Sequence, residues 1–298
     1  MNDEDIVRTL LAEGIMVSPE KLEEIKRTGL GTYLEKRKKS SSQQPGKTPA
    51  IKCRVKSQRN ITEITPDESL RLHGERFETL RKILLRKADA VSINNIGNSS
   101  SKVTVVGMVK ESGGGSFVLE DSTGEITVRS GERPETDDVL CVKAWPRDGA
   151  LTGAEIYFPD VPPPKEIPSM EGILSFGSSG DADVSIIGSK LTCGGGETVL
   201  GKTSSIKLES GGKSMNALFH SGDKITRERA LSWLKKRQIT GLSQPPGFFV
   251  IEDVPDLFLL LGCDGTWHEN YKGVTIIGLP HGKTALVDLK TREVKSGD

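Results

Sequence analysis

The sequence lacks several features that would each indicate a particular class of protein. It has no apolar run long enough to cross a membrane, and aromatic residues make up only 5% of its 298 residues. Its few cysteines include no Cys-x-x-Cys pair, which argues against both a zinc ribbon and a disulfide framework. We therefore expect no membrane contact, no cofactor and reduced thiols. The cysteines are Cys53, Cys141, Cys193 and Cys263.

The beginning of the sequence also lacks a secretion signal. Met1 to Asp5 form neither a basic n-region nor an apolar segment, so we expect a cytoplasmic protein. The length allows two or three domains, and a hydrophobic content of 35% is sufficient for packed cores.

The formal net charge of zero conceals a basic stretch. Between Glu35 and Glu63 there is no acidic residue, and serine, glutamine, proline and glycine are interspersed among the cations. We predict a flexible linker over residues 36–64 that either contacts a nucleic-acid backbone or is a solvated tether. The candidate nucleic-acid-binding residues are Lys36, Arg37, Lys38, Lys39, Lys52, Arg54, Lys56 and Arg59.

Two helix starts are readable on either side of this stretch. Ser18-Pro19-Glu20 supplies an N-cap, a proline at the first helical position and an acid in the first turn, which indicates a helical module within residues 1–35. Thr65 and Glu68 have the spacing of a capping box. The helix that follows should pack on the next domain through one apolar side. That side carries Leu70, Phe77, Leu80 and Leu84.

From Val103 the pattern changes to short strands separated by turns. We predict strands at residues 103–109, 116–120, 125–128, 139–145 and 154–158. Five strands with this rhythm suit an OB-fold barrel. Its conspicuous aromatic residues are Phe117, Trp145 and Tyr157, and two of them lie in strands where core packing is expected. We therefore expect a barrel that contacts protein, without tight binding of single-stranded DNA.

Several segments resemble the small subunit of archaeal family-D DNA polymerase. In that family a Pro-Asp-hydrophobic strand runs into Gly-His-x-His, whose histidines bind a catalytic metal. Here Cys263 and Gly265 occupy those two positions, and Gly265 has no side chain that could bind a metal. The segments that carry the resemblance are Phe158–Pro162, Met215–Gly222, Ala230–Ile239, Phe249–Glu252, Val254–Gly265, Tyr271–Gly278 and Ala285–Val294.

The resemblance implies a metal site that has been lost. His220 falls on a further ligand position of the family, whereas the Asp-x-His and Gly-Asn-His motifs that should precede it are missing. We therefore expect His220, Cys263 and Gly265 to be relic positions, with Cys263 a small buried side chain and His220 hydrogen-bonded in the core. No catalytic residue and no bound metal are expected.

The resemblance also implies a fold and a function. The expected fold is a multidomain α+β protein with a helical module (1–35), a basic linker (36–64), a helix and an OB-fold barrel (65–165), and a shortened, degenerate calcineurin-like phosphoesterase domain (166–298). The expected role is that of a non-catalytic accessory subunit in DNA replication. It would bind and stabilise the large catalytic subunit of family-D DNA polymerase and contact DNA weakly or through the complex.

Two alternatives remain open from the residues themselves. The first is a 3′–5′ exonuclease with a rebuilt metal site drawn from His220, Asp264, His268 or His281. The second is a free-standing OB-fold protein that binds single-stranded DNA.

Overall fold

A computed structural model describes residues 50–57, 64–97, 101–177, 182–242 and 247–297. Ile51–Asp298 form one compact unit. The predicted helical module and most of the predicted linker lie outside the described residues. Neither helix of the described residues is long and apolar enough to cross a membrane.

Strands dominate the described part of the chain, so the predicted α+β class was wrong and the fold is mostly β. The strands are β1 (Lys52–Ser57), β2 (Val103–Gly113), β3 (Ser116–Asp121), β4 (Gly124–Arg129), β5 (Val139–Arg147), β6 (Ala150–Tyr157), β7 (Ile173–Phe176), β8 (Val184–Ile187), β9 (Lys190–Cys193), β10 (Gly196–Val199), β11 (Thr203–Ser210), β12 (Lys213–Ile225), β13 (Gln238–Thr240), β14 (Phe248–Val250), β15 (Leu257–Cys263), β16 (Trp267–Tyr271), β17 (Val274–Leu279), β18 (Thr284–Asp288) and β19 (Val294–Gly297). The α-helices of the described residues are α1 (Pro66–Leu85) and α2 (Arg227–Lys236).

Strands β2 to β6 close into a barrel in the order β2-β3-β4-β6-β5. Closure comes from the antiparallel pairing of β5 with β2, while β4 and β6 pair in parallel. Alternate residues such as Val105, Leu119 and Val142 point inward and are buried, as the two-residue period of a strand requires. The closed five-stranded barrel is compatible with the predicted OB fold.

Helix α1 begins at the predicted capping box. The Thr65 hydroxyl accepts a hydrogen bond from the Glu68 amide at 3.2 Å, and the Glu68 carboxylate accepts one from the Thr65 amide at 3.1 Å. Leu80 and Leu84 are buried against the outer face of the barrel. Leu70 is 75% exposed, so its predicted place on the packed side was wrong. The contact with the barrel begins later along the helix.

Two six-stranded sheets pack face to face outside the barrel. The first sheet has the order β1-β11-β12-β15-β17-β16, and the second has the order β10-β9-β8-β7-β18-β19. Their inner faces share one apolar core, in which Phe176 and Phe219 meet edge to face at 6.4 Å between ring centroids. The outer face of the first sheet is covered by α2 through Ala230, Trp233 and Leu234.

These sheets correct the prediction for residues 166–298. Helix α2 is the single α-helix in the described part of that range, so the region is a two-sheet β structure and not the predicted phosphoesterase-like domain. The position of strand β15 explains why residues Leu257–Leu261 are all apolar. It lies between two parallel neighbours, β12 and β17, and is buried on both faces.

Residues Lys52–Ser57 of the predicted linker form an ordered strand at one edge of the first sheet. Cys53 and Val55 pack against the shared core, and Cys53 forms a disulfide with Cys193 of the second sheet. The prediction of reduced thiols was therefore wrong for this pair, while Cys141 and Cys263 are free and buried. The paired cysteines lie 140 residues apart, so no local spacing reveals the bond.

The barrel and the sheets are joined by one mostly buried charge pair and by further polar contacts. Lys236, the last residue of α2, lies 2.8 Å from the Asp138 carboxylate and 2.5 Å from that of Glu135, both just before β5. At a second place, the hydroxyl of Tyr271 on β16 donates a hydrogen bond at 3.1 Å to Asp160, which follows the last barrel strand. The Asp138 side chain is only 3% exposed, so this contact excludes water on the barrel side.

Candidate functional site

The segments that carry the resemblance come together in the first sheet. Met215–Gly222 lies on β12, Val254–Gly265 on β15, and Tyr271–Gly278 runs into β17. These three strands are parallel neighbours, with His220 opposite Leu260 and Leu261 opposite Leu279. Their carboxyl ends therefore meet at one edge, which is where open sheets with parallel strands place ligand-binding residues.

His220 is a packed core residue at this edge. It is 3% exposed, its Nδ1 atom lies 2.9 Å from the Thr203 hydroxyl, and its ring contacts Trp233 edge to face at 5.2 Å between centroids. Burial lowers the pKa of His220 to about 4, and the charges of Lys202 and Arg229 act in the same direction. The imidazole is therefore neutral near pH 7.

Cys263 is also part of the packing. Burial raises the pKa of its thiol to about 12, and the thiol faces the Leu260 carbonyl at 3.7 Å. The Cys263 side chain is 6% exposed and belongs to the apolar cluster beneath α2. Gly265 has no neighbouring atom within 4 Å of the position where a Cβ would stand.

The remaining histidines near this edge occupy different positions. His268 is exposed on β16 opposite Ile277. His281 is exposed after β17, and its Nε2 atom lies 2.9 Å from where a Cβ of Gly262 would stand. Such a Cβ would also be 1.9 Å from the Gly222 carbonyl, so only glycine at position 262, with a φ of 89°, permits this approach.

His220 reaches the same pair of glycines. A Cβ on Gly222 would lie 3.1 Å from its Nε2 atom, so His220 and His281 both border the contact between Gly222 and Gly262. Asp264 is exposed at the end of β15. No group of three or more histidine, cysteine, aspartate or glutamate residues suited to a metal occurs within the ranges that the structure describes.

Only three of the candidate nucleic-acid-binding residues lie among the described residues. Lys52, Arg54 and Lys56 are exposed and alternate with the core-facing residues of β1. Arg54 lies opposite Lys207 of β11, and both contact the Glu209 carboxylate, at 3.5 Å and 2.7 Å. The other candidates, Lys36, Arg37, Lys38, Lys39 and Arg59, lie outside the described residues.

Arg54 and Lys56 border a cleft of about 550 Å³. The cleft lies between α1, strands β1, β11 and β12, and the segment Phe248–Asp253. Its surface is mixed, because cations, acids and apolar side chains all line it. Lys207, Leu72, Glu75, Leu218 and Glu252 are among the other lining residues.

Arg76 is a buried charged residue in the lining of this cleft. Its side chain is 2% exposed, its Nη2 atom donates to the Asp137 carbonyl at 3.2 Å, and its guanidinium lies 4.9 Å from the Phe248 ring centroid. Its Nε atom is buried and has no hydrogen-bond partner among the described residues. Sequence reasoning missed Arg76, because an arginine in an amphipathic helix usually indicates a solvated face.

The chain was compared with protein-family models and with curated proteins. Neither comparison finds a match.

Proposed function

We propose that this chain is a non-catalytic accessory subunit of a replicative DNA polymerase. It binds and stabilises a large catalytic subunit of the archaeal family-D type in the cytoplasm, and reaches DNA weakly or through that complex. One observation carries the proposal. The resembling segments of residues 215–278 are dispersed in sequence, yet three of them form adjacent parallel strands with a common carboxyl edge.

The residues at that edge support a structural role for it. His220 is neutral and packed on Trp233, Cys263 is a buried thiol, and Gly265 has no side chain. Each residue occupies a position that binds metal in the family; His220 and Cys263 pack in the core there, whereas Gly265 has open space where a Cβ would stand. A partner that needs the shape of this sheet accounts for its retention without those ligands.

The junction between the barrel and the sheets supports a single docking body. Lys236 and Asp138 form a mostly buried ion pair across it, and Asp160 accepts a hydrogen bond from Tyr271. Removing one partner of such a pair leaves the other charge buried, which is strongly unfavourable. The two parts therefore present their surfaces to a large subunit in one fixed arrangement.

We place one contact with the large subunit at the cleft beside β1. The cleft joins α1, which packs on the barrel, to the first sheet, so a segment bound there touches both parts at once. Leu72 and Phe249 are half-buried and offer apolar surface, while Arg54 and Lys207 lie on one wall. A segment with an apolar anchor and an acidic residue facing Arg54 and Lys207 matches this wall, while Glu75 and Glu252 on the rest of the lining favour a cation at its other end.

The test is capture of a family-D large subunit by the tagged full-length chain after co-expression. We expect capture by the wild type and a loss of at least tenfold in Arg54→Glu/Lys207→Glu. Lys213→Glu/Lys283→Glu is the matched control, because both lysines are exposed and do not line the cleft. Capture that is equal in all three proteins would remove the cleft from the interface, and no capture by the wild type would refute the proposed function.

A further inference from the structure

The barrel has exposed aromatic side chains on its outer face, contrary to the expectation of core packing. Trp145 is 40% exposed and Tyr157 is 49% exposed, whereas Phe117 is 2% exposed within the barrel core. Trp145 lies on β5 and Tyr157 ends β6. The intervening residues Val142 and Ala144 point into the core, so the neighbouring positions 143 and 145 point outward.

The register places these side chains along one stripe. Tyr157 lies opposite Cys141, Glu155 opposite Lys143, and Trp145 opposite Thr152 beyond a bulge. The four residue-to-residue steps from Cys141 to Trp145 span about 13 Å at ~3.3 Å per step. The two rings are therefore far enough apart to take separate bases, and Lys143 lies between them.

Both aromatic side chains are held in place while they stay accessible. Glu155 accepts hydrogen bonds from the Tyr157 hydroxyl at 2.7 Å and from the Lys102 ammonium. The same ammonium lies 5.9 Å from the Trp145 ring centroid. The indole also lies on Gly153, where a Cβ would come within 3.4 Å of Trp145 Cδ1.

The charge of the stripe favours an anionic ligand. Glu155 is its one acid between the two rings, and Lys102 is its ion-pair partner. Lys143 is exposed between the rings, and Arg147 is exposed at the end of β5. Stacking surfaces interleaved with cations are the combination that single-stranded nucleic acid requires, because the bases stack while the phosphates meet the cations.

We infer that the outer face of β5 and β6 is a base-stacking site for single-stranded nucleic acid, in which Trp145 and Tyr157 each stack on a base and Lys143 contacts the intervening phosphate. This face is separate from the basic strand β1, which belongs to the first sheet. The site does not depend on a polymerase subunit and binds in the isolated chain.

Intrinsic fluorescence tests the site directly. The protein has three tryptophans, of which Trp145 is exposed and Trp233 is 3% exposed in the core. Titration of the full-length chain with a short oligothymidine should quench the fluorescence. Trp145→Phe should lose most of the quenching and keep most of the affinity, since phenylalanine still stacks.

Affinity, measured by anisotropy of a labelled oligothymidine, tests the energetic role. Trp145→Ala/Tyr157→Ala should weaken binding by about tenfold or more, in line with the usual contribution of base stacking. Lys143→Glu should lower the affinity for oligothymidine more than the matched change Lys213→Glu does, both measured against the wild type. An abasic oligomer of equal length and charge should bind the wild type and the double variant equally, and more weakly than oligothymidine binds the wild type.

Three results would overturn the inference. The first is equal affinity of the wild type for oligothymidine and the abasic oligomer, which would leave only backbone attraction by the basic residues. The second is unchanged affinity in the double variant with a native circular dichroism spectrum. The third is that the double variant loses capture of the large subunit while keeping oligonucleotide affinity, which would make this face a protein interface.

Discussion

At the scale of single residues, a histidine in the sequence can be interpreted as a metal ligand or as a packed core residue, and burial distinguishes the two. The resemblance predicts that His220 is a relic ligand position with a core role, and its hydrogen bond with Thr203 agrees with the core role. Its contact with Trp233 joins residues that are distant in the chain, so no local pattern could indicate it.

The lowered pKa of His220 predicts a dependence of stability on pH. A histidine whose pKa falls on folding binds fewer protons in the folded state, so stability decreases as the pH falls from the ordinary value of 6.5 towards the folded value of about 4. Between pH 7 and pH 5 the loss should be about 2 kcal/mol. Urea unfolding of the wild type and His220→Asn at both pH values measures it. A wild-type pH dependence no steeper than that of the variant would contradict this account.

The pair of Lys236 and Asp138 gives a second prediction at this scale. Burial lowers the pKa of Lys236, but its hydrogen bonds to Asp138 and Glu135 and the charges of these two carboxylates together outweigh burial and raise the pKa. Lys236→Met leaves the Asp138 charge buried and should lower the free energy of unfolding by about 3 kcal/mol. Asp138→Asn/Lys236→Met should recover part of this loss, because no buried charge is left alone. A double variant that is as unstable as the sum of the single variants would show that the two side chains act independently.

At the scale of elements, local chemistry was predictable and pairing across the chain was not. The capping box fixed the start of α1, and turn residues separated the barrel strands at the expected positions, because these signals involve residues close in sequence. Strand β1 was missed, since its three alternating cations resemble a solvated linker. Only its pairing with β11, some 150 residues later, and the core contacts of Cys53 and Val55 make it a strand.

The disulfide between β1 and β9 predicts a stability difference at this scale. The bond closes a loop of 140 residues, and in the chain-entropy account such a loop stabilises the folded state by about 5 kcal/mol at most. Cys53→Ser/Cys193→Ser should therefore unfold at a lower urea concentration than the oxidised wild type. Cys141→Ser is the control for the loss of a free thiol. Unchanged unfolding on treatment of the wild type with a reductant, with reduction verified by mass, would contradict the prediction.

At the scale of the whole molecule, the sequence predicted the position of the barrel but not the class of the fold. Apolar alternation indicates strands equally well in an α+β domain and in a two-sheet structure, so the strands of residues 166–298 did not reveal that the fold is mostly β. The shared core of the two sheets depends on face-to-face contacts such as Phe176 with Phe219. These contacts follow from the strand order, which the sequence does not encode locally.

The proposed assembly leads to a prediction about which part of the chain binds the large subunit. The compact unit begins at Ile51, and β1 with its disulfide belongs to that unit. Deletion of residues 1–49 should therefore leave capture of a family-D large subunit within about twofold of the wild type.

Phe258→Asp should abolish capture, because it places an unpaired charge at a fully buried position under α2, at a cost of several kcal/mol. Phe258→Leu is the matched control and should retain capture, since it keeps an apolar side chain. Loss of all capture on deletion of residues 1–49, together with full capture by Phe258→Asp, would place the interface outside the barrel and sheets and would contradict the assembly that we propose.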